Sequence, residues 1–309
     1  MANSSGLNRT GVLSRVTVAA ITAALVGTTT AAVAADAPQG ATAARSTLSA
    51  PSASAASAFA ASSAVEHRTL QGVDGQYLYW YKPNGSGGYE GRQYDNSTWG
   101  SVKYAQQADN DGDGYADDAW VWYTNGVLGY VASESPSSTF VNVGSGWNAY
   151  NKVLSPGSLG GAAAADIIAR DASGNLWLYL GYGNGKLATR VKVGTGWNAY
   201  GQIAGVGDLS GDGKADIVAR DGSGILWLYK GTGDYKKPFA GRVKIGTNWG
   251  SYNLLLGVGD LDWDGNSDLL ARDTAGRLYR YSGTGNAASP FKQRALIGTS
   301  GWNTYRIMF

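Results

Sequence analysis

Three short stretches of this chain gather oxygen side chains at fixed intervals: Asp109, Asp111, Asp113 and Asp117; Asp208, Ser210, Asp212 and Asp216; and Asp260, Asp262, Asp264 and Asp268. They stand at positions 1, 3, 5 and 9 of a nine-residue loop, with glycine at position 6 (Gly114, Gly213, Gly265) for a sharp turn. Carboxylates crowded at this spacing repel one another unless a cation sits among them. An all-oxygen set around one turn suits calcium, which takes six to eight such ligands. The backbone carbonyl at position 7, from Tyr115, Lys214 and Asn266, and water would complete each shell. Three structural calcium ions are therefore expected, with the 208–216 site weakest because Ser210 replaces a carboxylate.

Position 12 is Trp120, Ala219 or Ala271 where an EF-hand needs glutamate, and strand patterning follows where an EF-hand needs a helix. A fourth stretch at the same place in the pattern, Ser158 to Asp166, keeps only its last aspartate and is expected to bind no metal.

The loops belong to a repeat. GVGDLSGDGKADIVARDGSGILWLYKGTG (205–233) returns as GVGDLDWDGNSDLLARDTAGRLYRYSGTG (257–285), and a weaker copy ends at Gly183. Trp147, Trp197, Trp249 and Trp302 recur in Gly-Trp-Asn-x-Tyr or a close variant, and Trp99 begins a looser copy, all at intervals of about fifty residues. Each unit holds four short strand signals separated by glycine-rich turns. In the fourth unit these are Asn253–Gly259, Asp268–Arg272, Arg277–Tyr281 and Lys292–Ile297. No segment sustains a helical apolar period, so an all-β fold is expected.

Four strands per unit predict a β-propeller blade. The first unit opens on the second strand, with Arg68–Asp74, Gln76–Lys82 and Tyr89–Asp95 as strands two to four. Tyr305 to Phe309 reads as a first strand with nothing after it. A ring of five blades, one of them shared between the two ends, accounts for both observations; an open stack would leave two bare sheet edges.

Ahead of the repeat, residues 1–35 read as a signal peptide: Arg9 and Arg15, then an uncharged run to Ala35, ending in Ala32-Val33-Ala34. Residues 36–64 are almost only Ala, Ser, Thr, Gly and Pro, which reads as a linker or pro-region, and 65–309 as the propeller. A secreted, extracellular protein is expected, with no membrane insertion after signal cleavage. Cysteine is absent, so no disulfide supports the fold, and a net charge of +2 gives no reason to expect nucleic acid as a partner.

With these loops and units in hand, the chain resembles the FG-GAP repeats of the integrin α-subunit head and the VCBS repeats of secreted bacterial proteins. That resemblance implies a propeller with calcium in the loops between first and second strands. The sequence departs from it in carrying Gly-Val-Gly for the phenylalanine-glycine element and in having five units where integrin heads have seven blades.

Alternating connections place the acidic loops at one end of the blades. Trp99, Trp147, Trp197, Trp249 and Trp302 fall at the other, where they form either a ligand-binding ring or wedges between blades. An exposed ring would suit carbohydrate, as in propeller lectins, and packing is the competing reading. A structural Arg–Asp link is expected at Arg170-Asp171, Arg220-Asp221 and Arg272-Asp273. The aspartates follow the repeat, only Glu66, Glu90 and Glu134 are glutamates, and the single histidine, His67, has no nucleophile pattern around it. A non-catalytic binding module is expected, for carbohydrate or alternatively as a protein-binding adhesion or assembly platform; a glycoside hydrolase is the remaining class.

Overall fold

The computed structural model describes residues 65–134 and 137–309; the expected signal peptide and linker lie outside the described residues. Twenty strands form five four-stranded antiparallel sheets, arranged as a five-bladed β-propeller. Blade 1 holds Val102–Ala108, Asp118–Tyr123, Leu128–Glu134 and Ser137–Gly144. Blade 2 holds Tyr150–Gly157, Asp166–Asp171, Leu176–Tyr179 and Val191–Gly194. Blade 3 holds Tyr200–Ala204, Ile217–Asp221, Leu226–Gly231 and Phe239–Gly246, and blade 4 holds Tyr252–Gly259, Asp268–Asp273, Leu278–Tyr281 and Ala295–Gly298. Blade 5 is the split one: Ile307–Met308 pairs with Leu70–Asp74, followed outward by Tyr77–Tyr81 and Gln93–Asn96.

The first strand of every blade is innermost, and all five line one cavity on the axis. Closure of the ring is made by backbone pairing. Gly72 faces Met308 and Val73 faces Ile307, while Gln71 N–H donates to the Phe309 carbonyl at 2.7 Å and Phe309 N–H returns to Gln71 at 3.0 Å. Strand positions match the sequence reading except at the outer edge. The fourth strand of blade 4 begins at Ala295, not Lys292, because the residues before it form the turn that Pro290 and Gly283 shape.

Burial is concentrated between blades. There are five hydrophobic clusters among the described residues, one for each neighbouring pair of blades. Ile168, Leu176 and Leu178 of blade 2, for example, pack on Trp197, Tyr200 and Ile217 of blade 3. The tryptophan markers belong to these clusters. Trp99, Trp147, Trp197 and Trp249 are buried, Trp99 to 1% exposure, and Trp302 is half-buried. Of the two sequence readings of these markers, their burial supports wedges between blades over an exposed ring.

The whole marker is a clamp on the preceding blade. Its residues from Trp onward form a single 3-10 turn in four of the five copies. Trp147, Trp197 and Trp249 each donate their backbone N–H, at 2.9 Å, to the glycine of the preceding blade's second turn (Gly126, Gly174, Gly224). Gly174 has φ 79°, and a Cβ there would meet the backbone of Asn198 at 3.2 Å, so glycine lets the marker sit close. Asn148, Asn198 and Asn303 add a side-chain amide to a carbonyl of the same turn, at 2.9–3.0 Å.

Arginine ties the other end of the clamp. Arg170 Nη1 donates to the carbonyls of Trp197 (2.9 Å) and Tyr200 (2.6 Å) in the next blade. Arg220 and Arg272 repeat this toward Trp249 and Tyr252, and toward Trp302 and Tyr305. The expected Arg–Asp link is therefore not made. Neighbouring strand residues point to opposite faces, so the arginine reaches across blades while Asp171 and Asp221 accept the indole N–H of Trp177 and Trp227 within their own blade. In blade 5 the second strand has Val73 at the arginine position, and Arg306, immediately before the first strand, supplies the guanidinium instead. It bonds the carbonyls of Gly75 (2.8 Å), Val102 (2.6 Å) and Trp99 (2.5 Å).

Trp197 is packed by Tyr229, with ring centroids 4.8 Å apart, and by Tyr200 and Phe239. Trp197→Ala should lower the unfolding free energy by about 3–5 kcal/mol in urea melts; a loss below about 1 kcal/mol would contradict the wedge role.

Candidate functional site

The three acidic loops lie at one end of the propeller, each following the innermost strand of blades 1, 3 and 4. Their first aspartate curls the loop by accepting at least two backbone N–H groups. Asp109 takes Gly112 (2.7 Å) and Gly114 (3.0 Å), Asp208 takes Gly211 (2.7 Å) and Gly213 (2.6 Å), and Asp260 takes Asp264 (3.1 Å) and Gly265 (2.9 Å).

Two carboxylate groups result. Oxygens of Asp109, Asp111 and Asp113 lie within 4.8 Å of one another, as do those of Asp260, Asp262 and Asp268. The 208–216 loop does not bring three carboxylates together, since Ser210 holds the third position and its N–H donates to Asp208.

The chain's own cations treat the loops differently. Lys230 pairs with Asp212 at 3.0 Å, Arg280 with Asp262 at 3.1 Å, and Lys292 with Asp264 at 2.5 Å. Among the described residues no Lys or Arg lies within 4.0 Å of the 109–113 carboxylates. Burial pushes Asp109 up to about 6, helped by Glu66 and Asp111. Burial, with Asp118, Asp111 and Asp113 nearby, pushes Asp117 up to about 7. Asp268 rises to about 7, from burial and then Asp262, and Asp262 Oδ1 is buried with no hydrogen-bond partner. A hard dication among these oxygens would meet each of these demands, so the donor set fits calcium best in the first and third loops.

The ninth-position aspartate also has a structural task. Asp216 accepts Leu209 N–H (3.0 Å) and Gly231 N–H (2.7 Å), and Asp268 accepts Leu261 (3.2 Å) and Gly283 (2.8 Å). Asp166, in the loop expected to bind no metal, makes the same bonds to Leu159 (2.8 Å) and Gly181 (2.9 Å). It survives there because it ties the loop to the end of the third strand.

One feature of this face was missed from sequence. Blade 5 has no acidic loop; the segment Glu66–Arg68 runs in its place between the loops of blades 4 and 1. His67 N–H donates to the Gly114 carbonyl (2.7 Å), Ala116 N–H to the His67 carbonyl (3.1 Å), and Asp260 N–H to the Glu66 carbonyl (2.9 Å). The His67 ring stacks on Trp263, centroids 4.4 Å apart at 21°, and lies 5.5 Å from the Tyr115 ring. Trp263 is 54% exposed and has φ 64°, a conformation that a bulky side chain rarely takes. The available signal was that Trp263 stands where Gly112 and Gly211 stand in the other two loops.

These blades and loops define a β-propeller built from acidic-loop repeats. Residues 161–219 and 208–271 match the model of the FG-GAP-like repeat, so the chain carries FG-GAP-like repeats. The two matches overlap on the 208–216 loop.

Among solved structures, the chain is similar to the Tc holotoxin pore of Photorhabdus luminescens (18% identity, 75% of this chain and 11% of that chain, TM-score 0.41). It thus spans about a tenth of that chain's length. It is also similar to a lectin from Burkholderia pseudomallei (14% identity, 74% of this chain and 69% of that chain, TM-score 0.45). A mutant of AofleA from Arthrobotrys oligospora is a third (8% identity, 77% of this chain and 75% of that chain, TM-score 0.44). A search of curated proteins finds no match.

Calcium titration of the 65–309 region should show binding that falls at least tenfold for Asp111→Asn; absence of any calcium heat would remove the metal from this account. The pH dependence without calcium follows from the raised carboxylates. Asp109, Asp117, Asp166, Asp216 and Asp268 all hold protons more tightly folded than unfolded. Stability in chelator should therefore fall as pH rises from about 4 to about 7. Saturating calcium should flatten or reverse that slope, as thermal melts would read.

Proposed function

We propose that this chain is a secreted, calcium-binding β-propeller acting as a non-catalytic binding module for carbohydrate. Asp109, Asp111, Asp113 and Asp117, with the Tyr115 carbonyl, would hold one ion. Asp260, Asp262, Asp264 and Asp268, with the Asn266 carbonyl, would hold another, and the Asp208, Ser210, Asp212, Lys214 and Asp216 set a weaker third. The ion supplies charge compensation and fixes the loop shape.

The observation that carries the binding role is the Trp263–His67 stack, with Tyr115 tilted beside it, between the first and third of these loops. One indole face rests on His67 while half of Trp263 stays exposed. A large aromatic held in a strained backbone at the surface is a poor investment for folding alone. An exposed apolar ring on a polar loop suits a sugar, which offers C–H groups to the ring and hydroxyls to polar neighbours. Tyr115 and Trp263 both sit within acidic loops, so calcium would set the spacing of the platform.

A glycan array run with calcium and with chelator tests this reading. Calcium-dependent binding that falls at least tenfold in Trp263→Ala, with calcium titration unchanged, is the expected result. An array without any calcium-dependent binder would overturn the carbohydrate assignment.

A further inference from the structure

The axis of the propeller carries a second feature, running along the inner strands between the marker end and the acidic loops. The five innermost strands enclose a cavity of about 160 Å³, lined by residues from Lys103–Gln106, Lys152–Leu154, Ile203–Val206, Leu254–Gly257 and Arg306–Met308. Its lining includes Lys103, Lys152 and Arg306 and no carboxylate. The three cations stand near the start of their strands, just past the tryptophan markers. The ends of the second strands bring Arg170, Arg220 and Arg272 to the same end, with Arg170 directly across from Lys152 and Arg220 across from Gln202.

Most of this charge is committed to the blade clamps, but Lys152 is not. It makes no hydrogen bond or ion pair among the described residues. Burial, then Arg170 and Arg220, lower its ammonium to about 8, and no acidic group offsets them. Arg220 Nε is likewise buried without a hydrogen-bond partner. A lysine half-buried among arginines with no anion is a costly arrangement for a chain to hold. Lys152 also has no structural counterpart: the equivalent places in blades 1, 3 and 4, across from the same second-strand position, are Tyr104, Gln202 and Leu254.

We propose that this axial cavity is an oxyanion site, with Lys152 as its anchor and Arg170 and Arg220 as flanking charge. The ligand is a tetrahedral sulfate or phosphate group, free or carried as an ester on a sugar. The volume holds such a group with some of its water. The site goes beyond the carbohydrate platform, which is built on the acidic loops, and neither depends on the other.

The test is titration of the protein with inorganic sulfate, N-acetylglucosamine 6-sulfate and uncharged N-acetylglucosamine, at constant ionic strength set with chloride. Sulfate should bind in preference to chloride, and Lys152→Met should weaken it at least tenfold while Lys152→Arg retains it. Met at a half-buried position favours folding, and an unchanged urea melt of the same variants reports an intact propeller. A sulfated sugar binding at least tenfold tighter than free sulfate assigns an esterified ligand; equal affinities assign the free ion. No sulfate binding above chloride, or equal binding by wild type and Lys152→Met, overturns the site. Because calcium and Trp263 are not involved, failure here leaves the carbohydrate reading standing, and failure of the glycan array leaves this one.

Discussion

Antiparallel pairing between Ile307–Met308 and Leu70–Asp74 is the constraint on which the other features rest. A sheet edge left open exposes unpaired N–H and C=O groups and invites association with another chain. Closure turns five separately marginal sheets into a ring in which every blade has two neighbours. Each hydrophobic cluster then has both of its walls, and the axial cavity has all five of its sides. With no cysteine to tie the ends, backbone pairing and the contacts of Tyr305, Met308 and Phe309 hold them. The pair of hydroxyls from Tyr81 and Tyr305, 2.5 Å apart, adds a polar bond inside that joint.

The clamps explain how the ring tolerates sequence drift between units. In four of the five junctions a guanidinium reaches the Trp carbonyl of the next blade, from more than one point of origin. Arg170, Arg220 and Arg272 come from second strands; in blade 5, where Val73 holds that place, Arg306 supplies it from just before the first strand. Blade 1 drops the element altogether, putting Trp122 at the arginine position and packing it 6.0 Å from Trp147. An ionic clamp is there exchanged for an aromatic contact.

Much of this architecture was legible in the chain. The recurrence of the markers and the unit split between its ends specified five blades, because repeat spacing and edge avoidance are properties of sequence order. The gathering of carboxylates in the first and third loops was legible too, since side-chain spacing and a turn glycine are local. Burial of the markers was not: Gly-Trp-Asn-x-Tyr reads the same whether the ring faces water or the neighbouring blade. The Arg–Asp expectation failed for a reason strand alternation already contains. Lys152 and the Trp263–His67 stack were illegible because each depends on units distant in sequence meeting across the axis or around the split blade.

The closing contacts have a kinetic consequence. Arg306 meets Gly75 across 231 residues of chain, close to the full length of the folded region. Loop-closure entropy makes such long-range pairing late, so four blades can assemble while blade 5 still waits for its inner strand. During that interval the strand Leu70–Asp74 presents a bare edge that matches the terminal segment of any sister chain. Topology alone therefore sets a choice between intramolecular closure and strand exchange, and local chain concentration during folding decides it.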